Sequence, residues 1–265
     1  MLNQVYRLIR PRQFEVETVA EKIGTDDIIV RPKFLSICHA DTRYFFGQRS
    51  QTALRAKLPM ALIHEAVGEV VFDPQNVFKA GTLVAMVPNT PVTKDSIIQE
   101  NYLPSSKFRS SGYDGFMQEY VCLRRDRAVV VPTDFDQHMS AFIEMISVGV
   151  QALTKLENTM DDDKRIIGIW GDGNLGYITA TLVKQIFPDS QLLVFGRHLL
   201  TKLILSMIFL PILKLVRRWN AQADKAVKLL FSKLSNIFSQ WEPLFLWESP
   251  RILLVLILVQ FLQKG

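Results

Sequence analysis

One stretch constrains this chain more than any other: Arg165 to His198, RIIGIWGDGNLGYITATLVKQIFPDSQLLVFGRH. It opens with an apolar run, Ile166 to Trp170, long enough for one buried strand. Gly171, Gly173 and Gly176 follow at the spacing G-x-G-x-x-G. Leu175, Ile178, Thr179, Leu182, Val183 and Ile186 then recur at helical intervals. Pro188-Asp189 breaks the pattern, and a second apolar run, Leu192 to Phe195, ends at Gly196. The order predicts strand, glycine turn, helix, strand. In a dinucleotide site the first glycine permits the tight turn, the second lets the backbone approach a pyrophosphate, and the third lets the helix pack close to the strand. The helix N-terminus, here Asn174 and Leu175, offers free N–H groups and partial positive charge to the phosphates. The same spacing also occurs in βαβ units that bind nothing, so the context has to carry the reading.

The end of the second strand bears on cofactor choice. An NAD site usually places Asp or Glu there to hold the ribose hydroxyls. This chain has Gly196, Arg197 and His198 instead. An arginine without the carboxylate suits the 2′-phosphate of NADP; a solvated loop arginine is the alternative.

The formal charge of +5 suggests an anionic partner, but its distribution argues otherwise. Residues 199–265 hold nine Lys and Arg against three acids, whereas residues 1–198 hold 22 against 23. The basic balance belongs to the tail, and the first part carries no nucleic-acid patch. Two cysteines, Cys38 and Cys122, argue against a disulfide framework and fit a reducing compartment. The N-terminus alternates polar and apolar residues without an apolar core of signal-peptide length, so the cytoplasm is expected.

Residues 1–135 read as β-rich. Alternating runs recur at Phe14–Val19, Asp27–Pro32, Ala66–Phe72, Leu83–Val87 and Phe116–Leu123, separated by Gly, Pro and Asp. That spacing predicts a compact barrel-like domain. Within it, Cys38 and His39, then His64 and Glu65, put metal-competent side chains at turns. A helix is expected from near Ser140, with Phe142, Ile146, Val150 and Leu153 on one stripe and Glu144 in its first turn.

These residues resemble the medium-chain dehydrogenase/reductase family, the zinc alcohol dehydrogenase superfamily. The order matches: a Cys motif, a His-Glu-x-x-G motif, Asp114-Gly115-Phe116 leading to Tyr120-Val121, then the glycine turn. The closer resemblance is to ribulose-5-phosphate reductases (ribitol-5-phosphate dehydrogenases) of teichoic-acid and capsule synthesis. It rests on Cys38 to Phe45, Leu58 to Glu65, Val87-Pro88-Asn89, Ser110 to Met117, and Gly168 to Ala180. It covers residues 1 to about 198 and stops after His198.

The resemblance implies an α/β fold with a β-rich part: a GroES-like catalytic barrel over 1–140, then a truncated Rossmann NADP-binding unit over 141–198. It implies reduction of D-ribulose 5-phosphate to D-ribitol 5-phosphate with NADPH, toward CDP-ribitol and poly(ribitol phosphate); another sugar alcohol is the alternative substrate. Zinc would polarise the carbonyl. A catalytic zinc needs three protein ligands and an open position. The resemblance assigns Cys38 and His64, with Glu144 as third ligand and Glu65 as an alternating fourth ligand or an anchor behind the ligands. A buried Cys is otherwise often core, and a helix-start Glu often a cap. Cofactor contacts fall on Gly171, Gly173, Asn174, Leu175, Gly176, Gly196 and Arg197. Arg43 and Arg109 are candidates for the substrate phosphate, because a fork of donors suits a dianion, or are simply surface charges. A homodimer or a cytidylyltransferase is the candidate protein partner.

Two departures stand out. Many relatives carry Ser or Thr two residues after the Cys as a proton relay; here it is Ala40, leaving water, His39 or Tyr44. The four-cysteine structural zinc lobe is absent, since residues 90–113 hold no Cys, so one catalytic zinc and no structural zinc are expected.

The tail, residues 199–265, does not fit this fold. Of 13 glycines, all but Gly265 lie at or before Gly196, and three of four Trp lie in the tail. Lys202, Pro211 and Lys214 interrupt its first apolar run, and Ile252 to Leu262 is too short to span a bilayer, so stable membrane insertion is not expected. A shifted reading frame accounts for it better. Allowed codons for Trp219 to Ala226, read from the third base, give E-C-A-G-G-Q-G, and Gln240 to Pro250 permits P-M-G-x-x-x-x-M-G-V-S. Both resemble the missing second half of these reductases. A truncated, catalytically inactive product is therefore the alternative reading.

Overall fold

The structure is a computed structural model that describes residues 1–159 and 166–196, together with 247–248 and 253–255. The described residues form two units. One comprises residues up to Glu144 with the two short late strands, and the other begins at Met145.

The first unit is β-rich. Strands β1 (Leu2–Arg10) and β2 (Gln13–Ala20) form a hairpin. Its turn places Arg12 at φ 66. The centre is β3 (Asp27–Ser36), an apolar strand with Ile28, Val30 and Leu35 buried. Helices α1 (His39–Phe45) and α2 (Gln51–Lys57) follow it. Next come β4 (Met60–Ala61), which pairs with β1, and β5 (Glu65–Phe72), antiparallel to β3. Then come β6 (Leu83–Met86), β7 (Asn89–Thr90), β8 (Lys107–Phe108), β9 (Val121–Arg124) and β10 (Ala128–Val130). The main sheet runs β10-β6-β5-β3, with β9 also on β3. The late strands β13 (Trp247–Glu248) and β14 (Leu253–Val255) pair with each other, and β14 lies parallel to β3 at Phe34 to Ser36. One core joins the two sheets through Leu8, Ile28, Leu62, Val84, Phe116 and Leu123.

Expected and observed strands agree at β2, β3, β5 and β6. Three features differ. The N-terminal alternation is a nine-residue strand, β1. Residues Phe116 to Tyr120 are not strand; their backbone folds onto other segments, and the strand begins only at Val121. The expected helix near Ser140 opens as a 3-10 turn, Met139–Phe142, before α3 (Ile143–Thr159). Among the described residues one helical stretch, Met139–Asn158, is long and apolar enough to cross a membrane by length and composition. It carries the buried Phe142, Ile146 and Leu153 of the expected stripe; Val150 is only half-buried.

The second unit contains β11 (Ile166–Trp170), α4 (Asn174–Ile186) and β12 (Gln191–Phe195). The two strands are parallel and in register from Ile166 opposite Gln191 to Trp170 opposite Phe195. This is the expected strand, turn, helix, strand. The expected tail, 199–265, lies almost wholly outside the described residues.

Candidate functional site

The site starts where β3 ends. Cys38 caps α1: its Sγ accepts from Ala40 N at 3.2 Å, and Asp41, three residues on, accepts from Cys38 N at 3.1 Å. This reciprocal capping fixes the Cys38 backbone and side chain together. His64 and Glu65 stand at the entry to β5, where Glu65 pairs with Ser36 across the ladder. Antiparallel pairing of β3 and β5 thus brings residues 26 apart in sequence to 3.4 Å, Cys38 Sγ to His64 Nε2.

The turn before His64 is tightly held. Ile63 has φ 71, a left-handed conformation that costs a β-branched residue about 1–2 kcal/mol. Its N–H donates to Asp41 Oδ1 at 2.9 Å and its carbonyl accepts from Phe116 N at 2.6 Å. His64 Nδ1 lies 3.9 Å from Asp41 Oδ1.

One ligand atom each from Cys38, His64 and Glu65 lie within 4.8 Å of one another. All three residues are nearly buried, and Glu65 Oε2 is a buried oxygen without a hydrogen-bond partner among the described residues. Burial first, then the charge of Asp41, pushes the Cys38 thiol far above its ordinary value. Burial, followed by Glu144, raises Glu65 to about 8. Burial, followed by Asp41, raises Glu144 to about 7. Burial lowers His64, against the pull of Asp41, and so favours neutral imidazole. Cys38, Glu65 and Glu144 are thus strained in the ionised state that a metal requires, whereas His64 already favours the neutral form a metal binds; a divalent cation would reverse the logic for the thiol and the carboxylates. Thiolate, imidazole and carboxylate form the donor set zinc favours, and the orphaned Glu65 oxygen fits a ligand role. The residues present therefore fit zinc.

The other expected residues fall as follows. Glu144 opens α3 near enough to Glu65 to raise it, but outside the three-residue cluster. Arg43 is half-buried in the last turn of α1. Arg109, expected at the substrate phosphate or the surface, is turned inward. Its Nη1 donates to the Asp114 carbonyl at 3.2 Å and its Nη2 to the Cys122 carbonyl at 2.7 Å, while its guanidinium lies over Tyr113 and Phe116. Those bonds hold it between the backbone at Asp114 and that at Cys122. His39 is exposed, and the Tyr44 ring lies in the core. The lobe over 90–113 is tied by polar contacts, among them Arg127 to Glu100 at 2.5 Å and Arg124 to the Pro91 carbonyl at 2.8 Å.

In the glycine turn, Gly171 has φ 132 and its N–H donates to the Phe195 carbonyl at 2.8 Å. A Cβ at Gly176 would lie 2.0 Å from the Gly171 carbonyl oxygen, whereas one at Gly173 would meet nothing within 4 Å. Asn174 and Leu175 are exposed at the start of α4. At Gly196 a Cβ would lie 2.2 Å from Asp172 Cγ, so the Asp172 side chain would have to shift. Among the described residues the turn is thus closed at Gly176 and open at Gly173. Arg197 lies outside the described residues.

Sequence reasoning missed Asp41 and Gly115. A Cβ at Gly115 would lie 2.3 Å from the carbonyl oxygens of both Leu62 and Ile63. The capping spacing of Cys38 and Asp41 was a legible signal for the first; nothing local marks the second.

Residues 24–133 match the alcohol dehydrogenase GroES-like domain. Over 197 residues the chain is 54% identical to ribulose-5-phosphate reductase 1 of Staphylococcus aureus, covering 74% of this chain and 58% of that protein. It is 51% identical to the ribulose-5-phosphate reductase of Bacillus spizizenii over the same length and shares. The crystal structure of S. aureus TarJ in complex with NADPH superposes with a TM-score of 0.63 at 45% identity, covering 76% of this chain and 56% of that one. The chain thus spans less than two thirds of the length of the relatives it matches. Fold and relatives agree: residues 24–133 carry the alcohol dehydrogenase GroES-like domain, and over 197 residues the chain is similar to ribulose-5-phosphate reductases.

Proposed function

We propose that this fold serves a zinc- and NADPH-dependent reduction of D-ribulose 5-phosphate to D-ribitol 5-phosphate. The observation that carries it is the buried cluster of Cys38, His64 and Glu65; the similarity to proteins named ribulose-5-phosphate reductase supports the substrate. Cys38, His64 and Glu65 would hold the metal, with Glu144 as the carboxylate that exchanges with Glu65. When bound, zinc acts as a Lewis acid on the substrate carbonyl. Asp41 holds the backbone on both sides of the ligand pair, and the low water content around Glu65 strengthens every charge interaction there. Gly171, Gly173 and Gly176, with Asn174 and Leu175, receive the pyrophosphate, and Arg197 the 2′-phosphate. The polyol phosphate would feed a cytidylyltransferase in the cytoplasm, toward teichoic acid or capsule.

A second reading is carried by the abrupt end of the similarity after 197 of 265 residues: the chain is a frame-shifted product with little catalysis. One experiment addresses both. Metal analysis and NADPH oxidation are measured on this chain and on a frame-restored one, with ribulose 5-phosphate, xylulose and fructose as substrates. About one zinc per restored chain and turnover confined to the pentulose phosphate are expected. A zinc-free restored chain with full activity would sink the reading.

A further inference from the structure

The segment Ser110 to Met117 supplies no side chain to the proposed chemistry, yet it holds the turn that carries His64. Gly115 N donates to the Ala61 carbonyl at 2.8 Å, Phe116 N to that of Ile63 at 2.6 Å and Met117 N to that of Leu62 at 3.2 Å. These bonds secure the carbonyl side of the turn. Its N–H side is held by Asp41, and Asp41 is held in turn by Ser110. The Ser110 hydroxyl donates to Asp41 Oδ1 at 3.0 Å, and both residues are buried. The other donors to Asp41, Cys38 N at 3.1 Å and Ile63 N at 2.9 Å, are backbone groups adjoining the two ligands themselves.

Ser110 adopts φ 58, and its own N–H bonds the Tyr113 carbonyl at 3.1 Å. A turn alone is better served by glycine, which takes positive φ freely, as Gly112 does two residues later at φ 113. Serine at 110 therefore needs another reason, and the bond to Asp41 supplies one.

We propose that Ser110 is a positioning residue for the metal centre: its hydroxyl fixes Asp41 and, through Asp41, sets the Cys38 end of α1 and the ring of His64. This rests on the metal reading above. Ser110→Gly removes the hydroxyl while suiting φ 58; Ser110→Ala removes it and keeps the strained backbone. Co2+ affinity is measured on the purified chain by competition with a chelator, alongside the 15N signals of the His64 ring in the metal-free chain. Both variants should bind Co2+ about 10–100-fold more weakly, the usual effect of losing a partner behind the ligands, and both should shift the His64 signals. If Ser110→Gly binds Co2+ as tightly as the unsubstituted chain and only Ser110→Ala is weak, Ser110 serves the turn and the proposal is overturned. If the unsubstituted chain takes up no Co2+, the metal reading fails by itself. The His64 signals then decide: a shift in Ser110→Gly supports the positioning role, and unchanged signals overturn it.

Discussion

At Gly115 a single methyl group would strike two backbone carbonyls, those of Leu62 and Ile63. Backbone cannot swing aside as a flexible side chain can, so the turn before His64 must move. Gly115→Ala is expected to destabilise the first unit by about 1–3 kcal/mol, the usual cost of overpacking, and to lower metal content with it. Thermal melting beside metal analysis checks this, and normal metal content in a destabilised variant would separate the turn from the site. Asp73 supplies a different test. Arg125 donates to it at 2.8 Å, and the amides of Gln75 and Phe78 add bonds at 3.0 and 2.9 Å. The Arg125 guanidinium foremost holds this carboxyl well below the usual carboxylate range. Its unfolded value is about 3.9, so the folded state binds the proton less readily than the unfolded one. The stabilisation is therefore fully present above about pH 4 and is lost as pH falls toward the depressed folded value. Asp73→Asn should be less stable at pH 7 and should lose less stability between about pH 5 and pH 3. Urea midpoints across that range read the slopes, and equal slopes in both proteins would dismiss the pair. Neither role is visible in the sequence, because Asp73 and Arg125 are 52 residues apart and only β5 and β9 flanking β3 bring them together.

Elements were more legible than contacts. β2, β3 and β5 follow from alternation, and the βαβ unit from a change of period around three glycines. β1 was overlooked because its polar residues, such as Arg7 and Asn3, face partners that the sequence does not display: Asp114 at 2.7 Å and the Tyr120 carbonyl at 2.7 Å. The Phe116 segment alternates like a strand, yet its hydrogen bonds go to the turn before His64 rather than to a ladder. The motifs around Cys38 and His64 single out two of the three clustered residues; spacing alone does not say that the return of β5 on β3 joins them. Within the glycine turn the structure divides two roles that the spacing leaves together. Gly176 is needed by the protein itself, since a Cβ there meets the Gly171 carbonyl at 2.0 Å. Gly173 faces open space among the described residues. In a frame-restored chain, Gly176→Ala should destabilise the nucleotide unit by about 1–3 kcal/mol. Gly173→Ala should leave melting unchanged and weaken NADPH at least tenfold, about 1.4 kcal/mol. Fluorescence titration with NADPH and a melting curve for each variant distinguish the two, and equal behaviour would mean that the open side of Gly173 receives no phosphate.

For the whole molecule, the two units differ in how far their described strands are covered. The first has a continuous core and four or more strands around β3. The second has, among its described residues, α3 from Met145 on, two parallel strands and α4. Ile166, Trp170, Leu193 and Phe195 of those strands are more than a third exposed, with the rings of Trp170 and Phe195 stacked at 4.9 Å. A parallel sheet is stable when both faces are covered, and a stripe of exposed large apolar side chains favours association with other chains. About two fifths of the length of the Staphylococcus aureus relative lies outside the matched region, while the tail of this chain has only one glycine with which to turn. We expect the 265-residue product to bind NADPH poorly, to turn over little or no ribulose 5-phosphate and to aggregate, even where metal occupies Cys38, His64 and Glu65. A frame-restored chain should be soluble and active. Turnover, NADPH affinity and light scattering of the two chains side by side provide the comparison. Equal activity would mean that residues 199–265 complete the nucleotide unit in a way that their lack of glycine turns does not suggest. Restored solubility without activity would instead place the fault in the metal centre, where zinc content and the Ser110 and Gly115 variants locate it.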